Sequence, residues 1–190
     1  NKNKNNLNKK DIGLISEIVY GVTTWKLTLD EIIKNHSSVK IKKISPWILN
    51  ILRMSIYQIV FLDKIPKSAA VNEGVNLAKR YGNKGSIGFT NAVLRKIDKK
   101  DYEDLFEIKD KKEMISKTTS MPIWIIEEFI KEGLTYEQIK EICRNSNKRP
   151  NISIRVNKLK TTKESLIEKL KAKNIDVTEK SELDDFIILN

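Results

Sequence analysis

Cysteine and histidine are nearly absent from this 190-residue sequence, which holds one of each, Cys143 and His36. A disulfide needs two cysteines, and zinc sites built from cysteine and histidine need three or four such ligands. No apolar run approaches the roughly 20 residues that cross a membrane. The Asn/Lys-rich start of the chain, residues 1–6, lacks the apolar core of a signal peptide. We therefore expect a soluble, cytoplasmic protein with no metal and no membrane partner.

Acidic residues are scarce in the first half of the chain. Residues 1–100 hold 19 Lys and Arg against 7 Asp and Glu, whereas residues 101–190 hold 17 against 18. A basic part beside a near-neutral part indicates two modules, of which the first meets a polyanion such as nucleic acid. A Lys- and Asn-rich composition bias across the whole proteome is the alternative explanation, but it does not account for the difference in acid count.

Apolar residues recur at helical spacing through the first hundred residues, so this part is predicted to be all-α. The segment from Pro46 to Leu62 is apolar nearly all round, which places it in the middle of a helix bundle, with Trp47 on its main apolar face. Ser45 and Ser68 are predicted to cap helices. Gly82 is predicted to end one in the left-handed conformation.

The character of the sequence changes after residue 100. Residues 101–112 are charged and are predicted to be a loop-like linker. Capping-box spacing at Asp110 and Thr135 predicts two helix starts, with a further helix at residues 122–130 between them. Beyond Pro150, strands are predicted at residues 152–156, 175–177 and 186–189, with a helix capped near Thr161.

The predicted fold class is therefore mainly α, with a small α/β part at the end. We expect a helical nucleic-acid-binding domain at residues 1–100 and a helical linker at 101–150. Residues 151–190 are expected to begin an α/β subdomain that is cut short.

Some residue types that often carry chemistry are predicted to be structural here. The glycine-rich segment 82–88 follows no strand and lacks the Gly-Lys-Ser/Thr ending of a phosphate-binding loop, while its GxxG spacing fits a KH domain only if strands flank it. The amides of Asn72 and Asn91 are predicted to be buried and satisfied between helices. His36 is predicted to face a helix C-terminus, and Cys143 is predicted to be a buried, inert thiol.

Basic side chains cluster at the end of one predicted helix, in the following turn and at the end of the next helix. Phosphate contact and a solvated basic surface both remain open as interpretations. If the two helices pack antiparallel, these side chains cannot all share one face. The candidate RNA-binding residues are Lys79, Arg80, Lys84, Arg95, Lys96, Lys99 and Lys100. No catalytic, cofactor-binding or metal-binding residue is predicted.

Four segments together resemble the NusB-type RNA-binding domain. These are residues 52–62 (LRMSIYQIVFL), 65–73 (IPKSAAVNE), 77–79 (LAK) and 89–95 (FTNAVLR). The resemblance implies an all-α domain of two packed helical bundles. Members of that family carry one more amphipathic helix before the position of Asp11, so the first helix is expected to be missing here.

The remainder of the chain is similar to the Sun/RsmB family of small-subunit rRNA cytosine-5 methyltransferases. The matching residues are 121–124 (MPIW), 145–150 (NSNKRP) and 153–160 (SIRVNKLK). This resemblance implies a leading NusB-like domain, a linking subdomain and a Rossmann-like domain that uses S-adenosylmethionine. In that family one cysteine thiolate adds to cytosine C6 and a second cysteine assists release, and neither matches a residue here.

The resemblance implies that this chain positions small-subunit rRNA for a catalytic domain outside it. We expect no activity and no bound S-adenosylmethionine for the chain alone, and a protein partner at the helical bundle is possible. Two alternatives stay open. One is a regulatory module of the transcription-antitermination type, although Arg95 stands where that protein usually has an acid. The other is a helical protein-docking scaffold whose lysines serve solvation.

Overall fold

The computed structural model describes residues 8–148, 150, 152–178 and 185–189. The chain divides into two compact units, one ending at Asn147 and the other beginning at Lys148. No helix in the described ranges combines the length and apolarity that crossing a membrane requires.

Short turns join the helices of the first unit. The described helices are α1 (Lys9–Thr24), α2 (Lys26–His36), α3 (Pro46–Phe61), α4 (Lys67–Tyr81), α5 (Lys84–Lys96), α6 (Lys100–Glu103), α7 (Lys111–Thr119), α8 (Ile123–Lys131) and α9 (Tyr136–Ser146). Two 3-10 turns, Ile41–Lys43 and Asp104–Glu107, lie between them. The predicted all-α first part and the mainly helical fold class are confirmed.

Helix α3 is the centre of the first unit, as its apolar composition predicts. It packs against α1, α2, α4 and α5. Half of its residues are buried, on several faces of the helix. Within the sequence of α3, Arg53 is the one charged residue. Its Nε and second guanidinium nitrogen donate to the two carboxylate oxygens of Asp30 on α2, at 2.7 and 2.8 Å, which neutralises the charge in a bidentate pair.

Side-chain caps occur where the capping-box spacing places them. Asp110 accepts a hydrogen bond from the backbone N–H of Glu113 at 2.8 Å. Thr135 and Gln138 form a complete capping box at the start of α9. Ser45 occupies the N-cap position of α3, directly before Pro46, as predicted, although its side chain makes no capping hydrogen bond. The cap predicted at Ser68 is wrong, because α4 begins one residue before it, directly after Pro66, whose carbonyl accepts the first helical N–H bonds.

The predicted linker at 101–112 is not loop-like at its start, because residues 100–107 form α6 and a 3-10 turn. Leu105 is buried in the core of the bundle. The ring of Tyr102 packs edge-on against Trp25 and Phe61, with centroids 5.9 and 5.2 Å apart. The many charged residues of this segment suggested a loop, but its few apolar side chains pack against the bundle.

Helices α7, α8 and α9 enclose a small core of their own, made of Ile115, Ile126, Ile139 and Cys143. Three polar contacts join α7 and the residue after it to α2. Thr28 Oγ1 donates to the carbonyl of Lys117 at 2.6 Å, and the N–H of Leu27 donates to Ser120 Oγ at 2.8 Å. Lys117 Nζ lies 3.0 Å from Glu31 Oε2.

The ion pair with Lys117 changes the pKa of the Glu31 carboxyl group. Burial raises the pKa of Glu31, but hydrogen bonds and charge attraction from Lys34 and Lys117 outweigh it, so the pKa lies below its ordinary value. Glu31 therefore stays ionised at neutral pH, and its ion pair with Lys117 joins α2 to α7.

The second unit contains a small antiparallel sheet, as the alternating residues predict. Its described elements are β1 (Ile152–Arg155), α10 (Lys163–Lys171), β2 (Val177–Thr178) and β3 (Phe186–Leu189). Strand β3 lies between β1 and β2 and is antiparallel to both. Thr162, one residue later than predicted, caps α10. The core of the second unit consists of Val156, Val177 and Ile187.

We predict opposite effects for the same substitution at two glycines of α1. A Cβ at Gly21 would lie 1.9 Å from the Tyr57 ring, whereas a Cβ at Gly13 would meet nothing within 4 Å. Gly21→Ala is expected to lower the free energy of unfolding by about 1–3 kcal/mol through overpacking. Gly13→Ala is expected to raise it by about 0.5–1 kcal/mol through helix propensity. Urea denaturation measures both, and equal stabilisation by the two variants would contradict the packing of Tyr57 on α1.

Candidate nucleic-acid interface

Two stretches of the first unit contain no acidic residue. They are residues 32–62, with cations at Lys34, Lys40, Lys42, Lys43 and Arg53, and residues 74–97, with cations at Lys79, Arg80, Lys84, Arg95 and Lys96. The first stretch covers most of α2 and all of α3, and the second covers most of α4 and all of α5. Since Arg53 is neutralised by Asp30, the remaining positive charge lies at the helix ends and in the connecting turns.

Helices α4 and α5 run antiparallel. A Cβ at Gly82 would lie 2.8 Å from the Cβ of Ser86, and one at Gly74 would lie 2.8 Å from Leu94 Cδ1. The end of α4 therefore lies beside the start of α5, and the middle of α4 lies beside the end of α5. Both helices turn their small and apolar faces inward: Ala70, Val71, Gly74 and Ala78 from α4, and Thr90, Val93 and Leu94 from α5.

A groove of about 550 Å³ follows these two helices on their outer side. Its lining residues are Asn72, Glu73, Val75, Asn76, Lys79, Ile87, Gly88, Asn91 and Arg95. Lys79 and Arg95 supply the cations, and three asparagines supply amide donors and acceptors. Such a set can hold a phosphate through its cations and hydrogen-bond to sugar or base edges through its amides.

Of the seven predicted RNA-binding residues, the structure brings Lys79 and Arg95 into this one groove. Arg80 instead lies over the ring of Tyr81, 5.4 Å from its centroid, and Lys84 is the first residue of α5. The other three lie where α5 ends and α6 begins.

Lys96 and Lys100 are exposed there, and Lys99 pairs with Asp63. The antiparallel packing thus separates the seven into two groups at opposite ends of α5. Lys79, Arg80 and Lys84 lie at one end, and Arg95, Lys96, Lys99 and Lys100 lie at the other.

The prediction that Asn72 and Asn91 are buried between helices is wrong. Asn72 is exposed and Asn91 half-buried, and both face the groove. Their helices bury the opposite faces, so the amides point away from the core. Asn76 was missed altogether. The spacing of these residues could have predicted the groove. On α4 the polar residues are 72, 76 and 79, and on α5 the lining residues are 88, 91 and 95. Each set recurs every three or four positions and so lies along one helix face.

Gly82 has an extended backbone, with φ −122° and ψ −163°, so the predicted left-handed end is wrong. The glycine is needed for close approach instead. A Cβ there would lie 2.8 Å from the carbonyl oxygen of Ala78 and 2.9 Å from Ile48 Cδ1. The KH interpretation is wrong as well, because strands in the described ranges occur only between residues 152 and 189, and Gly85 and Gly88 lie inside α5.

The groups that could carry chemistry are held in structural roles. His36, predicted to face a helix C-terminus, is the last residue of α2, and its Nε2 contacts Asp101 of α6. Cys143 is fully buried, and this burial raises the pKa of its thiol despite a hydrogen bond with Thr119. The predicted inert thiol agrees with this environment. In the described ranges no group of three or more His, Cys, Asp or Glu side chains could hold a metal ion.

A family model described as the NusB family matches residues 1–99, just over half of the chain. The chain belongs to the NusB family. A second model, the ferredoxin-like domain of RsmF/B-like methyltransferases, matches residues 121–190. The predicted resemblance to a NusB-type domain followed by an RsmB-type segment is therefore confirmed, and the groove described above lies within the NusB domain.

Curated relatives of this NusB-family chain fall into two groups. It is 35% identical over 179 residues to a "Probable ribosomal RNA small subunit methyltransferase B" of Bacillus subtilis (strain 168), covering 94% of this chain and 39% of that protein. A protein with the same description from Synechocystis sp. is 31% identical over 175 residues, 92% of this chain and 39% of that protein. This chain thus spans about two fifths of the length of these relatives.

The second group matches the NusB domain alone. A "Transcription antitermination protein NusB" of Ruminiclostridium cellulolyticum is 43% identical over 96 residues, 50% of this chain and 66% of that protein. Among solved structures, the crystal structure of PH0851 aligns with all of this chain and 42% of its own, with a TM-score of 0.59. At 21% identity that likeness shows the fold alone.

We predict that Cys143 reacts slowly with alkylating reagents. Its burial keeps the thiol protonated and inaccessible. In a Ser146→Cys variant, the cysteine introduced on the exposed side of α9 serves as the internal control. Mass spectrometry of iodoacetamide-treated protein is expected to show the introduced thiol modified at least about tenfold faster than Cys143. Equal rates would contradict the inert, structural role.

Proposed function

We propose that this chain is the RNA-binding and linking part of an S-adenosylmethionine-dependent rRNA cytosine-5 methyltransferase that acts on the small ribosomal subunit. In this proposal residues 1–100 bind RNA and residues 101–150 link that domain to the methyltransferase region. Residues 151–190 begin that region, whose catalytic domain lies outside this chain. The protein works in the cytoplasm, where small-subunit rRNA is its substrate.

The order of the two matched domains carries the proposal. A NusB domain at residues 1–99 precedes the RsmF/B-type ferredoxin-like domain at 121–190 in a single chain. The relatives named as small-subunit methyltransferases match more than nine-tenths of the chain, whereas the antitermination proteins match about half of it. A stand-alone antitermination role leaves residues 121–190 without an explanation.

The chemistry of this chain's own residues fits binding rather than catalysis. The cations of Lys79 and Arg95 provide two phosphate contacts along the α4–α5 groove, and Asn72, Asn76 and Asn91 line the same groove for sugar or base contacts. These side chains would fix the position and direction of the RNA. A remote binding site of this kind raises the effective concentration of substrate at the reacting centre.

The described residues do not fit S-adenosylmethionine. The glycine-rich segment at 82–88 begins between two helices and continues into α5 rather than following a strand, so it does not form the loop that holds such cofactors in α/β folds. Cys143, buried with a raised pKa, does not fit the thiolate nucleophile of the family reaction. We derive no methyl-transfer step from these residues.

The activity is tested with the product of the complete gene. With S-adenosylmethionine and small-subunit rRNA that lacks the modification, nucleoside mass spectrometry is expected to find 5-methylcytidine. Transfer to another base would contradict the cytosine-5 assignment, and the absence of transfer would contradict the enzyme proposal.

We predict that the α4–α5 groove supplies two phosphate contacts. The double variant Lys79→Gln/Arg95→Gln is expected to reduce the affinity of this chain for single-stranded rRNA segments on the order of tenfold. It is also expected to flatten the slope of log affinity against log salt by about 1.4, because two fewer counterions are released. Filter binding between about 50 and 200 mM salt measures both quantities.

The matched control removes two positive charges from the second unit. Lys169 and Lys173 are exposed there, so Lys169→Gln/Lys173→Gln makes the same change in net charge. It is expected to leave affinity and slope nearly unchanged. Equal losses in the two double variants would mean that net charge alone, rather than the groove, attracts the RNA.

A further inference from the structure

Two large aromatic side chains are stacked on the outside of the NusB domain. Trp47, in the first turn of α3, is 62% exposed, and Tyr81, the last residue of α4, is 43% exposed. Their ring centroids are 5.1 Å apart and their planes differ by 10°. We call this pair the aromatic platform. The prediction that Trp47 lies on the buried face of α3 is wrong, because the indole stacks on Tyr81 and stays mostly exposed, while the neighbouring Ile48 is buried.

The platform does not serve the hydrophobic core. Neither Trp47 nor Tyr81 belongs to the buried cluster of the bundle or to the half-buried side chains packed against it, whereas Trp25 does. An exposed aromatic pair that does not pack in the core is suited to binding, since aromatic rings supply rigid, flat contact area.

The residues near Trp47 and Tyr81 in the sequence include several cations and no acid. Trp47 lies in the acid-free stretch 32–62 and Tyr81 in the acid-free stretch 74–97. The Arg80 guanidinium lies over the Tyr81 ring. Lys42 and Lys43 precede Trp47 in the 3-10 turn, and Lys84 follows Tyr81 at the start of α5.

An apolar recess of about 250 Å³ opens beside the platform. It is lined by Val39, Lys43, Ile44, Ser45, Ile48, Gly85, Ser86 and Phe89. Ile48 directly follows Trp47, and the closeness of Gly82 to Ile48 and Ser86 brings the end of α4 against this recess. The recess therefore places further apolar surface near the end of α4, next to the residue that follows Trp47.

We propose that the aromatic platform binds an unpaired base of single-stranded RNA, with Arg80, Lys43 and Lys84 holding the adjoining phosphates. Aromatic side chains with interspersed cations are the arrangement that binds single strands, because every base offers a π-face and every linkage a negative charge. A duplex keeps its bases stacked on one another and offers none to Trp47. A protein partner could also use Trp47, Tyr81 and Arg80, but lysine is depleted at the centre of protein interfaces, so Lys43 and Lys84 favour RNA.

This inference rests on the proposed function and adds to it the form of RNA that is recognised. The platform lies outside the α4–α5 groove, as none of the groove-lining residues is Trp47 or Tyr81. The two surfaces therefore make separate contributions, one by stacking and one by phosphate contact, and their variants give different signatures.

The test compares Trp47→Ala with Trp124→Ala in the intact chain. Trp124 is 63% exposed in α8 and is absent from the core cluster of that region, so it is a matched control. Trp47→Ala is expected to weaken binding of an oligouridylate about 5- to 100-fold with an unchanged salt slope, because one stacking contact and no ion pair is lost. Trp47→Phe is expected to retain most of the affinity, and Trp124→Ala all of it.

A second measurement uses the fluorescence of Trp47 in a Trp25→Phe/Trp124→Phe background. Oligouridylate is expected to quench it, and an RNA duplex of the same length is expected to leave it unchanged. Wild-type affinity of Trp47→Ala with no quenching would overturn the platform and would favour a protein-docking use of the pair. If RNA binding is present and depends on Lys79 and Arg95, such a result leaves the proposed function intact. Absence of all RNA binding contradicts both proposals.

Discussion

The apolar helix α3 is the centre of the first unit, and the ion pair between Arg53 and Asp30 lets this helix carry its one charged residue at the edge of the packed bundle. A helix packed against four others cannot carry an uncompensated charge without a penalty of several kcal/mol. In α3 the single charge is matched in bidentate geometry by a carboxylate of α2. Because the centre of the bundle accepts no other charge, the cations of this basic half lie on the outer faces of α4 and α5 and in the turns.

The same packing explains why the interface consists of separate surfaces. Helices α4 and α5 place their small residues against α3, which leaves their polar faces to form the α4–α5 groove. Trp47 at the start of α3 and Tyr81 at the end of α4 are exposed and stack on each other. In the proposed function, this scaffold offers phosphate contacts along the groove and a stacking surface at Trp47 and Tyr81. Together these features would hold flexible RNA in one direction more firmly than charge alone.

Local chemistry in the sequence predicts the elements of this fold well. The apolar spacing of α3, the caps at Asp110 and Thr135 and the alternation at residues 152–155 each depend on neighbouring residues, so they are readable without tertiary structure. Features set by distant contacts are not readable in this way. Gly82 is required by Ile48 and Ala78, Tyr102 is drawn into an aromatic cluster, and Asn91 faces outward because α5 buries its other side.

Lysine footprinting of the chain bound to small-subunit rRNA tests the central claim most directly, namely that the outer faces of α4 and α5 hold RNA. Acetylation followed by mass spectrometry compares every lysine in one experiment. The account predicts that RNA slows modification of Lys79, Lys84 and Lys96, while Lys131 on α8 and Lys169 on α10 react as before. Protection confined to α8 and α10, or no protection at any lysine, would contradict it.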